Sequence, residues 1–262
     1  MSDALNRLVH CLNQLDTIAI AVSGGVDSMT LAHVAHSRSS AKTTMFHAIS
    51  PAVPDHATAR VRHHAGVYGW DLHVVGAGEF DDPDYVRNPV NRCYFCKSNL
   101  YGRLSAETHA TLCSGTNTDD LGDFRPGLRA ADEQNVRHPF VEADIDKAGV
   151  RQVASTLGLG DLAELPAQPC LSSRVETGLP IVADQLALID RLEQRLASAL
   201  GPGDIRARMT HDGVRVEVPA HLIPETQSIQ DDLVSEISAA GYRLAGIAPY
   251  KRGSAFLRDA TT

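Results

Sequence analysis

The sequence predicts an α/β protein: a doubly wound parallel sheet with a small C-terminal α+β domain behind it. Three observations carry that expectation. Short apolar runs alternate with helix-like stretches through residues 1–165, the pattern of a parallel sheet with helices on both faces. Residues 166–180 hold four Pro or Gly residues and no periodicity, which marks a loop or hinge. From residue 181 the pattern changes to a long helix, a hairpin, a second helix and a last strand, a domain of roughly eighty residues.

Each element follows from local pattern. Leu5, Leu8, Val9, Leu12 and Leu15 recur at helical spacing over residues 3–15. Residues 17–22 form a buried-strand candidate, followed by a helix over 29–36 and a strand over 43–49. A helix over 56–68 and a short strand over 72–75 come next, then a polar excursion over 76–89. Residues 92–108 read as a helix and 112–114 as the end of a strand. Asp146 is placed as an N-cap and Gly158 as the residue that ends that helix. In the last third, 181–200 is an amphipathic helix. Strands over 205–210 and 214–218 flank His211-Asp212-Gly213, a hairpin signal. A helix over 223–240 and a strand over 243–247 close the chain. Parallel sheets bind ligands beyond the carboxyl ends of their strands, and Ser23, Ser50 and Ser114 all fall there.

Composition narrows the partners. The chain has 262 residues, 43% of them apolar, with a net charge of −8 and no basic cluster, so a small-molecule acceptor is favoured over a nucleic acid. No apolar run approaches membrane-spanning length, and residues 1–10 lack the apolar core of a signal peptide. A cytoplasmic protein without a membrane partner is expected. Five cysteines, Cys11, Cys93, Cys96, Cys113 and Cys170, do not make a disulfide framework in such a chain.

The chemistry-bearing motifs lie at strand ends and in the hinge. Ser23-Gly24-Gly25-Val26-Asp27-Ser28 joins a strand to a helix. Its glycines allow a tight turn, and the free N–H groups and helix dipole face an anion. Ser23 and Ser28 add hydroxyls, and Asp27 suits magnesium. There is no Gly-Lys-Ser/Thr ending and no dinucleotide fingerprint. Ser114-Gly115-Thr116-Asn117-Thr118-Asp119-Asp120 is a second polar turn, able to meet a nucleotide and, through Asp119, magnesium; Asp123, Arg125 and Arg129 follow it. Cys93-Tyr94-Phe95-Cys96 opens a helix. Alone it leaves zinc, a redox disulfide, iron–sulfur ligation and a packed structural pair open. Pro169-Cys170-Leu171-Ser172-Ser173-Arg174 sets a loop cysteine beside an arginine, an arrangement that favours a reactive thiol.

The spacing Ser-Gly-Gly-x-Asp-Ser resembles the pyrophosphate (PP) loop of the ATP pyrophosphatases, which cleave ATP between its α- and β-phosphates. Together with Arg92 to Lys97, Gly115 to Gly127 and Pro169 to Arg174, it is similar to the ATP-dependent sacrificial sulfur transferases, the LarE family, over nearly the whole chain. The resemblance implies ATP bound by Ser23, Gly24, Gly25, Asp27, Ser28, Ser50, Gly115, Thr116, Asn117 and Asp119, with magnesium on Asp27 and Asp119. It implies adenylation of a pyridinium biscarboxylate mononucleotide on the way to a nickel-pincer cofactor. Sulfur then comes from Cys170, or from a [4Fe–4S] cluster on Cys93, Cys96 and Cys170. Arg206 and Arg208 match the family's substrate-phosphate arginines, and Arg129 and Arg174 complete the substrate-binding set. A homo-oligomer, a hexamer, is implied as well. Two departures stand out. Ser114, preceded by Cys113, replaces an acidic residue, and the C-terminal signature reads Pro249-Tyr250-Lys251-Arg252-Gly253-Ser254. They leave a second acceptor open, a guanine nucleotide thiolated on the way to 6-thioguanine. Cys113 would then be either a sulfur carrier or simply a small buried strand residue. The rival readings are an amide-forming ligase of the same superfamily and a non-catalytic ATP sensor. A tRNA thiolase is disfavoured by charge.

Overall fold

A computed structural model describes residues 3–122, 125–201, 203–251 and 253–254. Asp123 and Arg252 lie outside the described residues. In chain order the elements begin with α1 (Asp3–Leu12), β1 (Thr17–Ala21), α2 (Val26–Arg38), β2 (Lys42–Ile49), α3 (Asp55–Tyr68) and β3 (Leu72–Gly76). They continue with α4 (Pro83–Val86), α5 (Arg92–Glu107), β4 (Thr111–Cys113), α6 (Pro126–Glu133), α7 (Pro139–Glu142), α8 (Lys147–Thr156) and α9 (Gly160–Ala163). The last third holds α10 (Ala183–Leu200), β5 (Arg206–Thr210), β6 (Gly213–Val218), α11 (Ile223–Ser228), α12 (Gln230–Ala239) and β7 (Leu244–Pro249). Two compact units result. The first takes residues 1–82 and 93–168, the second 83–92 and 169–262.

The first unit is a four-stranded parallel sheet in the order β3-β2-β1-β4. The chain leaves β1 for β2 on one side and later returns to its other side with β4. The carboxyl end of β1 is therefore the switch point where such sheets bind ligands. Both faces are apolar: Leu5, Leu8, Leu12, Ile18, Ile20, Met29 and Leu31 share one cluster, and Ala19, Phe46, Tyr101 and Leu104 another. Each such fully buried large side chain contributes roughly 1.5–3 kcal/mol. α8 starts where its cap dictates, since the Asp146 carboxylate accepts from Gly149 N at 2.7 Å. Its end falls before Gly158, whose φ is 76°.

In the second unit β5 and β6 form the expected antiparallel hairpin, and β7 adds to β6 in parallel. α10 buries Leu186, Leu188, Ile189, Leu192 and Leu196 and lies against β5. The helix expected over 223–240 is two, separated at Ile229, where φ is −108° and ψ 12°. Thr226 and Ser228 hydroxyls bond back to Leu222 O and Glu225 O, each at 2.7 Å. Such local bonds compete with a continuous helical ladder. The polar excursion after β3 also holds structure, the turn of 3-10 helix Glu79–Asp81 and α4.

Candidate functional site

The first loop lies at the carboxyl end of β1, and α2 begins at Val26, earlier than periodicity placed it, so Asp27 and Ser28 are in its first turn. Gly25 is the N-cap and offers no side-chain bond to that turn. The first N–H groups of α2 are therefore left for an anion. Ser28 Oγ accepts from Ser23 N at 3.0 Å, lies 3.1 Å from Ser23 Oγ and donates to Gly25 O at 3.2 Å, which closes the loop on itself. Gly24 has φ of 84°, and a Cβ there would meet Ala57 O at 2.8 Å. Only glycine fits both demands.

The second loop follows β4 and packs directly on the first. A Cβ on Gly115 would lie 2.6 Å from Ser28 N and 2.8 Å from the carbonyl carbon of Asp27. Asn117 Nδ2 donates to Asp27 Oδ1 at 3.1 Å, and Lys147 Nζ reaches Asp27 Oδ2 at 2.5 Å. Lys147 N also donates to Asp119 Oδ2 at 3.3 Å, while Asp119 N bonds Asn117 Oδ1 at 3.1 Å. The two motifs, some ninety residues apart in sequence, are thus one polar surface. Lys147 joins their carboxylates through its side chain and its backbone. Ser50 follows β2, and its Oγ accepts from Ala52 N at 3.2 Å.

Ser114 Oγ shares hydrogen bonds with Thr116 Oγ1 at 2.9 Å and His138 Nδ1 at 2.8 Å. Burial holds the His138 pKa below its ordinary value. His138 does not stand out in the sequence by type or spacing. Lys147 does so only within the Asp146-Lys147 linker, which shares in the family resemblance and gives the lysine no role. Cys113 is fully buried at the end of β4, and burial, with Glu142 adding to it, pushes its thiol up to about 12. That environment suits a small core residue and opposes a thiolate sulfur carrier. Cys93 and Cys96 are half-buried one turn apart at the start of α5, and both thiols belong to the first unit. Arg129 is on α6, bonded to Glu133 Oε1 at 2.8 Å with its guanidinium 4.6 Å from the Tyr94 ring centre.

The remaining residues belong to the second unit. Cys170 is exposed at the start of the short 3-10 turn Leu171–Arg174. Arg174, expected among the substrate-binding residues, has its side-chain donors on protein acceptors. The side chain is buried, with Nε and Nη2 on Glu193 at 3.0 and 2.9 Å and Nη1 on Pro169 O at 2.6 Å. It anchors the cysteine loop to α10. Arg208 is likewise buried against Glu217 at 2.7 Å. Arg206 is half-buried above the Tyr250 ring at 5.5 Å, and burial followed by the charge of Arg174 lowers its pKa.

A four-stranded parallel sheet covered by helices, with two polar loops packed together at its switch point, is an α/β fold of the HUP-like class. The chain is 36% identical over 241 residues to "uncharacterized protein slr1717" of Synechocystis, covering 90% of this chain and 88% of that one. It is 30% identical over 214 residues to "uncharacterized protein MJ0830" of Methanocaldococcus jannaschii, covering 78% and 81%. The chain belongs to the family that these two represent. It is also similar, at 28% identity over 90% of its length and 87% of the relative's, to pyridinium-3,5-bisthiocarboxylic acid mononucleotide synthase of Lactiplantibacillus plantarum. No protein-family model matches the chain.

Proposed function

We propose that this protein is an ATP-dependent sulfur transferase of the LarE type, acting in the cytoplasm on a small nucleotide-like acceptor. The observation that carries the reading is the packing of Gly115 on Asp27 and Ser28, which makes the two nucleotide loops a single cradle. The similarity to the bisthiocarboxylic acid mononucleotide synthase supports it and favours a pyridinium biscarboxylate mononucleotide as acceptor.

The residues fit a magnesium–nucleotide. Carboxylates of Asp27 and Asp119 are the hard oxygen donors such an ion takes, and the open N–H groups at the start of α2 suit its phosphates. Bound there, magnesium supplies charge neutralisation on the phosphate chain. The loops hold the α-phosphorus against an acceptor carboxylate oxygen, which forms a bond to phosphorus as pyrophosphate leaves. Lys147, now on Asp27, is a cation at hand for the departing charge.

The sulfur step needs a nucleophile, and exposed Cys170 is the one proposed. Its sulfur attacks the adenylated carboxyl carbon and AMP leaves, giving a thioester. Loss of the α-proton and cleavage of Cβ–S then release the thiocarboxylate and leave dehydroalanine. A [4Fe–4S] cluster on Cys93, Cys96 and Cys170 is the other sulfur source the family resemblance offers. Magnesium-ATP, acceptor and the Cys170→Ala variant test the scheme. The variant is expected to release pyrophosphate while forming no thio product. Full turnover with ammonia in place of sulfur would instead make the protein an amide-forming ligase.

A further inference from the structure

We propose that Arg60 binds the pyrophosphate part of the nucleotide, reaching from α3 to the first loop. The inference rests on the ATP reading above and assigns that site a residue no motif marked. Arg60 Nη1 donates to Gly24 O at 2.7 Å and to Gln168 Oε1 at 3.1 Å. Gly24 is the turn of the loop, and α3 presses on it from the same side, as the tight approach of Ala57 O shows. The guanidinium is thus held at the loop with its plane fixed by two acceptors. Among the described residues its hydrogen bonds all run through Nη1, so Nε and Nη2 are available.

Charge makes the case stronger. Arg60 is half-buried, and burial presses its pKa downward. A cation in that position is stabilised by an anion. The carboxylate that acts on it is Asp161, yet the Asp161 oxygen is hydrogen-bonded to His64 Nε2 at 3.2 Å and makes no ion pair with Arg60 among the described residues. An unneutralised guanidinium thus flanks a loop whose N–H groups already favour phosphate. Bidentate recognition of phosphate oxygens is what such a planar fork does best. With the loop read as the cradle of the leaving pyrophosphate, Arg60 offsets the charge that grows there.

Isothermal titration of the full chain with magnesium-ATP, pyrophosphate and AMP tests this. Arg60→Ala is expected to weaken ATP and pyrophosphate by about tenfold or more, the usual scale for a lost charge-assisted hydrogen bond, and to leave AMP unchanged. Arg60→Gln keeps a donor for Gly24 O and guards against loss of the loop itself; it should show the same split. Arg60→Lys should recover part of the affinity. Equal losses for ATP and AMP in both Arg60→Ala and Arg60→Gln would make Arg60 a loop support and overturn the proposal. So would unchanged binding of all three. Failure of the wild-type chain to bind ATP or pyrophosphate would remove the ATP reading along with it.

Discussion

Gly115 has no room for a side chain, because Ser28 N and Asp27 C already occupy the space where a Cβ would go. Both obstacles are backbone atoms in the first turn of α2, so neither can swing aside. Gly115→Ala should therefore part the two loops and weaken ATP binding by about tenfold or more, measured by titration. An unaffected Gly115→Ala variant would mean the loops do not act together. Cys113 gives the opposite expectation. Its thiol is enclosed and held neutral by burial, so Cys113→Ala should cost about 1 kcal/mol in a denaturant melt and leave ATP turnover intact. Loss of sulfur transfer in that variant would restore it as a carrier. The glycines were legible through the whole Ser-Gly-Gly-x-Asp-Ser pattern between a strand and a helix, since a Gly pair alone reads as an ordinary turn. The roles of Lys147, His138 and Arg60 were not legible, although the Asp146-Lys147 linker shares in the family resemblance. A lysine after a cap, a histidine at one or an arginine on a helix becomes specific only when folding sets it against a loop.

At the scale of elements, α2 and α3 are tied by a buried polar line. His33 Nε2 meets His64 Nδ1 at 2.8 Å, and His64 Nε2 meets Asp161 Oδ2 at 3.2 Å. A proton on the His64 nitrogen that faces Asp161 leaves His64 Nδ1 to accept from His33 Nε2, and burial favours the neutral form of both rings. Burial first, and then the charge of His64, pushes His33 down to about 4, and burial lowers His64 as well. The unfolded chain takes up these protons near pH 6.5. A depressed folded pKa for a base means that the contribution to stability is whole above about 6.5 and drains away as pH falls toward 4. Denaturant midpoints from pH 7 to pH 4.5 should fall, and the double replacement His33→Leu and His64→Leu should flatten that slope. An equal slope in the double variant would place the acid sensitivity elsewhere. None of this line was visible in the sequence, because the two histidines are thirty-one residues apart. Caps make a helix boundary legible, as at Asp146 and Gly158. Hydroxyls that bond back to the helix break the pattern without a sequence signal, as before Ile229.

For the whole molecule, alternation of apolar strands and helices was enough to give the parallel sheet, because a doubly covered sheet leaves that pattern whatever its function. Chain order did not reveal that residues 83–92 join the second unit with 169–262. Their contacts are long-range hydrogen bonds, such as Tyr85 OH to Ser172 Oγ at 2.6 Å and Asn88 Nδ2 to Glu176 O at 2.9 Å. The first unit carries the two polar loops, and the second carries Cys170 and the arginines set around its loop. Under the proposed function this is a division of labour. We propose that the loops split ATP between its α- and β-phosphates when an acceptor oxygen is present. Phosphorus NMR of the products measures this directly, with magnesium-ATP and the full chain, with and without a pyridinium biscarboxylate mononucleotide or a guanine nucleotide. AMP and pyrophosphate should form only when one of these acceptors is added. ADP and phosphate as products, or ATP left intact with both acceptors, would contradict the account.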